Sequence, residues 1–173
     1  EAILRAVQER APALLPVARV LCGEQVLHWW YDAYGHGKRI SATRGVDQGC
    51  PLSPALFAIG LAPALDRLRA ALRALDPAAC VFSYLDDIHV VVDPQHVKEV
   101  FALVEEHFTP LGLSLNASKS EAWRHSTASG FIPLPPGVQR VEAMTVMGAA
   151  SIWVPEDQAR VPLGWAQLEQ LAA

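Results

Sequence analysis

Cysteine is scarce in this chain. Three of the 173 residues, Cys22, Cys50 and Cys80, stand far apart. An odd number at such spacing builds neither a disulfide framework nor a zinc motif. A reducing, intracellular compartment is therefore expected, with nucleus or cytoplasm left open. Charge is sparse as well: fewer than a fifth of the residues are charged and half are apolar, which excludes a disordered polyelectrolyte. No apolar run approaches the roughly 18–20 residues of a membrane span, so no membrane partner is expected. Internal repeats and low-complexity blocks are missing too. Positive charge is not in surplus, since 14 Lys and Arg face 18 Asp and Glu for a net charge of −4. That balance predicts weak affinity for nucleic acid by this chain alone, because phosphate contacts need cations. Glu1 rather than methionine comes first, with no leader pattern behind it. The expectation is one domain with a real core, excised from something longer.

What is present is organised around Phe82-Ser83-Tyr84-Leu85-Asp86-Asp87-Ile88-His89-Val90-Val91-Val92. Two β-branched and aromatic runs flank an adjacent pair of aspartates, and such runs read as strands joined by a tight hairpin. Two-residue hairpin turns favour Asn-Gly, Asp-Gly or Gly-X, because their central residues need positive φ. Asp-Asp tolerates that geometry less well and sets two like charges side by side. A solvated acidic turn is the plain account; a site for a hard metal ion is the functional one. The rest of the chain decides between them.

Ala2 to Ala11 suits a helix, which Pro12 and Pro16 interrupt, and a second helix carrying Ala18, Leu21 and Cys22 ends at Gly23. Val26 to Tyr34 reads as a strand, Gly35-His36-Gly37-Lys38 as a turn, and Arg39-Ile40-Ser41 as the return. Trp29 and Trp30 are expected to pack in the core or at its rim, with a base-stacking platform as the alternative. Glycines on both sides of Gln48 allow close backbone approach to a ligand. Ser53-Pro54 then looks like an N-cap and first-turn proline, opening a helix to about residue 75 with a kink at Pro63. Arg67, Arg69 and Arg73 lie off its apolar stripe and read as a solvated face, phosphate contact being the lesser reading. Asp93-Pro94 starts another helix that buries one face against the sheet and ends at Gly112. Leu113-Ser114-Leu115 alternates, 116–119 turns, Glu121-Ala122-Trp123 returns as a strand, and 126–137 is loop by composition. A short strand pair is expected over 141–150 around Gly148, followed by a tail with a short helix near 165–171.

Four signals thus stand in order, and together they resemble the reverse transcriptases. Gln48-Gly49-Cys50-Pro51-Leu52-Ser53-Pro54-Ala55-Leu56-Phe57 is similar to the motif leading into the long palm helix. Tyr84-Leu85-Asp86-Asp87 resembles the family's Tyr-x-Asp-Asp metal motif. Leu111-Gly112-Leu113-Ser114-Leu115-Asn116-Ala117-Ser118-Lys119-Ser120 resembles the next motif, and Val146-Met147-Gly148 the primer-grip turn. The Leu-Ser-Pro version is similar to non-LTR retrotransposon and group II intron enzymes. The resemblance covers about residues 44 to 150.

The resemblance implies an α+β polymerase palm, with an antiparallel sheet carrying a metal-binding Asp-Asp hairpin and helices packed on one face. It implies a partial reverse transcriptase domain over 1–150, palm with part of the fingers, and a tail over 151–173 leading toward a thumb. The implied partners are an RNA template, a DNA primer, dNTPs, and fingers and thumb segments of the same polypeptide. The implied cofactor is Mg²⁺, or Mn²⁺ in its place. Asp86 would ligate metal directly and Asp87 partly indirectly, while Tyr84 would pack near the primer or template end. Gln48 and Gly49 would border the nucleotide pocket, and Arg44 would grip phosphate through its guanidinium fork. Lys119 would serve the pyrophosphate leaving group with charge or a proton, and Gly148 the primer grip.

One departure weighs against activity. The family carries another metal-binding Asp on an earlier strand, and neither Asp32 nor Asp47 matches it, so the isolated chain is expected to be inactive. A non-catalytic or degenerate retroelement remnant that at most binds nucleic acid is the competing reading. An RNA-dependent RNA polymerase is the nearer one, though its hairpin usually reads Gly-Asp-Asp. A carboxylate-pair hydrolase fits worse, because adjacent residues cannot flank a scissile bond at the ~5 Å or more that chemistry requires.

Overall fold

The computed structural model describes residues 1–23, 26–42, 45–47, 49–124, 134–141, 144–146 and 149–151. The expectations for Arg44, Gln48, Gly148, the loop over 126–133 and the tail beyond 151 lie outside the described residues. The chain divides into two compact units, Glu1–Arg67 and Leu68–Ala173.

The first unit begins with α1 (Ala2–Arg10), a short 3₁₀ turn over Pro12–Leu14, and α2 (Leu15–Cys22). Pro12 opens the turn that separates the helices, as expected, whereas Pro16 lies within the first turn of α2, where a missing N–H goes unnoticed. Next come β1 (Val26–Tyr31) and β2 (Gly37–Ala42), an antiparallel pair in which Tyr31 faces Gly37 and Leu27 faces Ser41. The 23-residue helix α3 (Ser53–Leu75) starts in this unit and continues into the next. It runs on through Pro63, one hydrogen bond poorer, because its apolar stripe holds the helix together across that position. Val7, Ala18 and Leu56 form the buried centre of the unit, with Ile3, Leu4, Leu15, Leu21, Cys22, Val46 and Ile59 packed around them. Gly60 permits this approach: a Cβ there would stand 2.8 Å from Ile3 Cγ1.

In the second unit the end of α3 leads to the hairpin β3 (Cys80–Tyr84) and β4 (Asp87–Val91). A 3₁₀ turn over Pro94–His96 enters α4 (Val97–Phe108), and a second over Thr109–Leu111 leads to Gly112 at φ 77. Pro110 accounts for the early change of helix type, since it cannot donate to the α ladder. Leu68, Leu72, Ala79, Val81, Val100, Val104 and Phe108 leave solvent, and the three α4 residues recur at four-residue spacing, as their periodicity predicts. The strands β5 (Glu121–Ala122) and β6 (Gln139–Arg140) pair in parallel, and β7 (Met144–Val146) pairs antiparallel with β8 (Ala149–Ser151).

Helices and strands are mixed as expected, and the antiparallel pairing expected of the sheet is present in small sheets, β1–β2, β3–β4 and β7–β8. Among the described residues the strands pair only in twos, and one pair is parallel. Leu113-Ser114-Leu115 also stays outside any strand. Alternation shows which face a segment would bury but not whether a neighbour lies within reach to pair with it.

Candidate active site

The hairpin forms where its apolar runs require it, but its tip is shifted by one residue from the sequence reading. Tyr84 faces Asp87 as the last pair of the ladder, so the two central turn residues are Leu85 and Asp86 rather than Asp86 and Asp87. Leu85 takes φ 53. Positive φ at the first central position only is the φ pattern of a type II′ turn, where glycine is usual. The unfavourable backbone therefore falls on Leu85, and Asp86 follows it with ordinary φ. Ser83 steadies the turn by donating its hydroxyl to the Leu85 carbonyl at 3.3 Å.

Both carboxylates are exposed. Asp86 is on the turn, whereas Asp87 opens β4 and shares a face with Tyr84, Phe82 and His89 through direct cross-strand pairing. On the opposite face Val81 pairs with Val90 and Ser83 with Ile88. His89 was not singled out by any sequence signal. Its Nε2 is shielded from solvent and has no hydrogen-bond partner among the described residues.

Asp76 is another residue that the sequence reading passed over. It follows α3, and its carboxylate accepts the Ala78 N–H at 2.9 Å and the Asp93 N–H at 3.0 Å. One side chain thereby ties the approach to β3 to the exit from β4. These backbone donors, Asp93 first, hold its carboxyl below the ordinary aspartate range. Asp93 in turn accepts the Gln95 N–H at 3.0 Å, which realises the helix start expected at Asp93-Pro94. An Asx turn one residue past a helix was the available clue.

Lys119 closes a 3₁₀ turn over Ala117–Lys119, in the same unit as the hairpin, and is exposed. Among the described residues no hydrogen bond or ion pair joins it to Asp86 or Asp87. Gly49 belongs to the first unit and takes φ 94, with open space where a Cβ would stand. Its glycine is demanded by backbone conformation rather than by a crowding neighbour. Just beyond, the Leu52 N–H and the Ser53 hydroxyl draw the Cys50 thiol below its ordinary pKa. Ser53 is buried as the first residue of α3, one position inside the expected cap. Asp47 meets His28 Nε2 at 3.2 Å.

Asp32 proves to be a turn former and not a strand residue. Its carboxylate accepts the Tyr34 and His36 N–H groups at 2.8 and 2.9 Å and meets His36 Nδ1 at 3.0 Å. The His36 N–H is the main cause of its lowered pKa. This Asx turn ends β1 at Tyr31, three residues before the expected boundary.

Among the described residues no three His, Cys, Asp or Glu side chains are grouped to hold a metal ion. The two hairpin carboxylates are nonetheless hard oxygen donors of the kind that Mg²⁺ takes in ones and twos beside substrate phosphates.

Residues 12–150 match the reverse transcriptase (RNA-dependent DNA polymerase) family. The chain belongs to that family, whose members use divalent metal ions with a nucleic-acid template, a primer and nucleotide substrates. The retrotransposable element SLACS 132 kDa protein of Trypanosoma brucei gambiense is 39% identical to it over 90 residues, which is 52% of this chain and 7% of that protein. The chain thus spans a small fraction of this relative's length. No solved structure matches it.

Proposed function

We propose that this chain is the palm-bearing part, over residues 1–150, of an RNA-directed DNA polymerase from a retrotransposable element, the segment from 151 leading toward a thumb. The reaction is nucleotidyl transfer from a dNTP to a primer 3′-hydroxyl on an RNA template. The observation that carries this reading is the Asp86-Asp87 pair at a hairpin tip, within a family match that also takes in Gln48-Gly49, Lys119 and Gly148. Asp86 and Asp87 would hold the divalent ion, Mg²⁺ or Mn²⁺. When bound, such ions activate the 3′-hydroxyl and neutralise the triphosphate, about 3.5–4 Å apart in two-metal sites.

The remaining roles belong to the chain's own groups. Gln48 hydrogen-bonds the incoming nucleotide, and Gly49, held at positive φ, keeps side-chain bulk away from it. Arg44 grips phosphate in bidentate fashion. Tyr84, beside Asp87 on the exposed face, packs on the primer or template end. Lys119 offers charge or a proton to the departing pyrophosphate, and Gly148 belongs to the primer grip. A reducing intracellular setting accords with three unpaired cysteines.

Two adjacent carboxylates give a two-metal site fewer ligands than it takes, so a further carboxylate comes from elsewhere in the parent polypeptide, and the 173-residue chain by itself extends no primer. RNA-templated primer extension tests both statements. The parent polypeptide is expected to make DNA from dNTPs with Mg²⁺, while the isolated chain makes none. A parent that makes only RNA from ribonucleotides, or an isolated chain that extends primers, contradicts the reading.

A further inference from the structure

The hairpin β1–β2 exposes what a core would bury. Trp29, Trp30 and Tyr31 are 61%, 54% and 62% exposed, where a place in the core or at its rim was expected. Contiguous exposed aromatics of this size mark a surface that meets something. Trp29 and Tyr31 are two residues apart on one face, with ring centroids 6.4 Å apart and planes within 22°. Gly37 lies opposite Tyr31, and a Cβ there would stand 3.1 Å from the Tyr31 ring and 3.4 Å from the Trp29 ring. The glycine thus lets both rings lie across the neighbouring strand. Arg39 is directly opposite Trp29 on the same face, and Lys38 is opposite Trp30 on the other.

The charge of this element is opposite to that of the chain. Residues 26–42 hold two cations, Lys38 and Arg39, and one carboxylate, Asp32, in a protein of net charge −4. Asp32 is committed to the turn through His36 and two backbone N–H groups. Among the described residues no carboxylate pairs with Lys38 or Arg39. Near-parallel aromatic rings next to unpaired cations suit unstacked bases on a phosphate backbone, whereas an apolar protein partner would leave both cations buried without a counter-charge.

We infer that the Trp29–Tyr31 face of this hairpin, with Arg39, binds single-stranded RNA by base stacking. The inference rests on the polymerase reading for its choice of RNA, since stacking itself tolerates any base. The experiment is fluorescence anisotropy of the 173-residue chain with a labelled single-stranded RNA of about 12 nucleotides, alternating cytidine and adenosine. Trp29→Ala with Tyr31→Ala is expected to weaken binding about tenfold or more. Trp29→Phe with Tyr31→Phe keeps the affinity within about threefold, which separates stacking from folding. Arg39→Gln flattens the dependence of log affinity on log salt by about 0.7, the share of one phosphate contact on a single strand.

Unchanged affinity in the double alanine variant overturns the inference, as does tighter binding of a DNA strand of equal length. Self-association that the double alanine variant abolishes, with RNA affinity unaltered, also overturns it and assigns the face to a second copy. A parent that extends primers although the hairpin ignores RNA defeats this inference alone. RNA binding through the hairpin by a parent that extends nothing defeats the polymerase reading alone.

Discussion

Left-handed backbone costs a residue with a Cβ about 1–2 kcal/mol, and at the tip of the β3–β4 hairpin that cost falls on Leu85. Its carbonyl takes the Ser83 hydroxyl and its backbone turns the chain, so that Asp86 is held on a two-residue loop. A β-branched residue fits positive φ worse than leucine does. Leu85→Val is therefore expected to lower stability by about 1 kcal/mol or more in urea denaturation; an unchanged midpoint would show that the turn relaxes freely. At Lys119 the expectation concerns kinetics. In the parent enzyme Lys119→Ala lowers kcat by about 100-fold or more through loss of leaving-group assistance, with primer-template affinity nearly kept. An effect confined to affinity contradicts the role proposed for it. Both residues lie in stretches that residue type and order single out. The register of the tip was not readable, because Tyr-Leu-Asp-Asp marks the break between two apolar runs without saying which residue accepts positive φ.

At the scale of elements the hairpin depends on a residue outside it. Asp76 joins the approach to β3 and the exit from β4 through two backbone N–H groups, and its folded pKa is depressed as a result. Such a group contributes stability that is fully present above the ordinary aspartate range and is lost as pH falls through the lower folded value. Asp76→Asn is expected to melt below wild type near neutral pH, and the gap should close in acid. A gap that stays constant down to pH 2 would show that the carboxylate's charge has no part. Asp32 has the same sign in both proteins and cancels in the comparison. Helices α1, α2, α3 and α4 were legible because apolar spacing and prolines mark them. Strand ends were less so: β1 stops at Tyr31 because a side chain three atoms long captures two N–H groups, which periodicity does not record.

For the whole molecule, family membership rests on residues 12–150, and a retrotransposable element protein shares part of the sequence. The order of four motifs made this readable from sequence, since each stretch alone has an ordinary structural explanation and their succession does not. The local hairpins were readable in the same way, but the parallel pairing of β5 with β6 was not, because a ladder between separated segments leaves no local signal. Nor did sequence distinguish buried tryptophans from displayed ones, since Trp29 and Trp30 have strand propensity in either case. The central claim is that Asp86, on the turn beside Asp87, supplies a metal ligand for nucleotidyl transfer. RNA-templated primer extension by the parent polypeptide, comparing wild type with Asp86→Ala at saturating dNTP and Mg²⁺, tests it most directly. The account predicts a fall in extension rate of at least about a hundredfold with the fold intact, and extension at the wild-type rate by Asp86→Ala would contradict it.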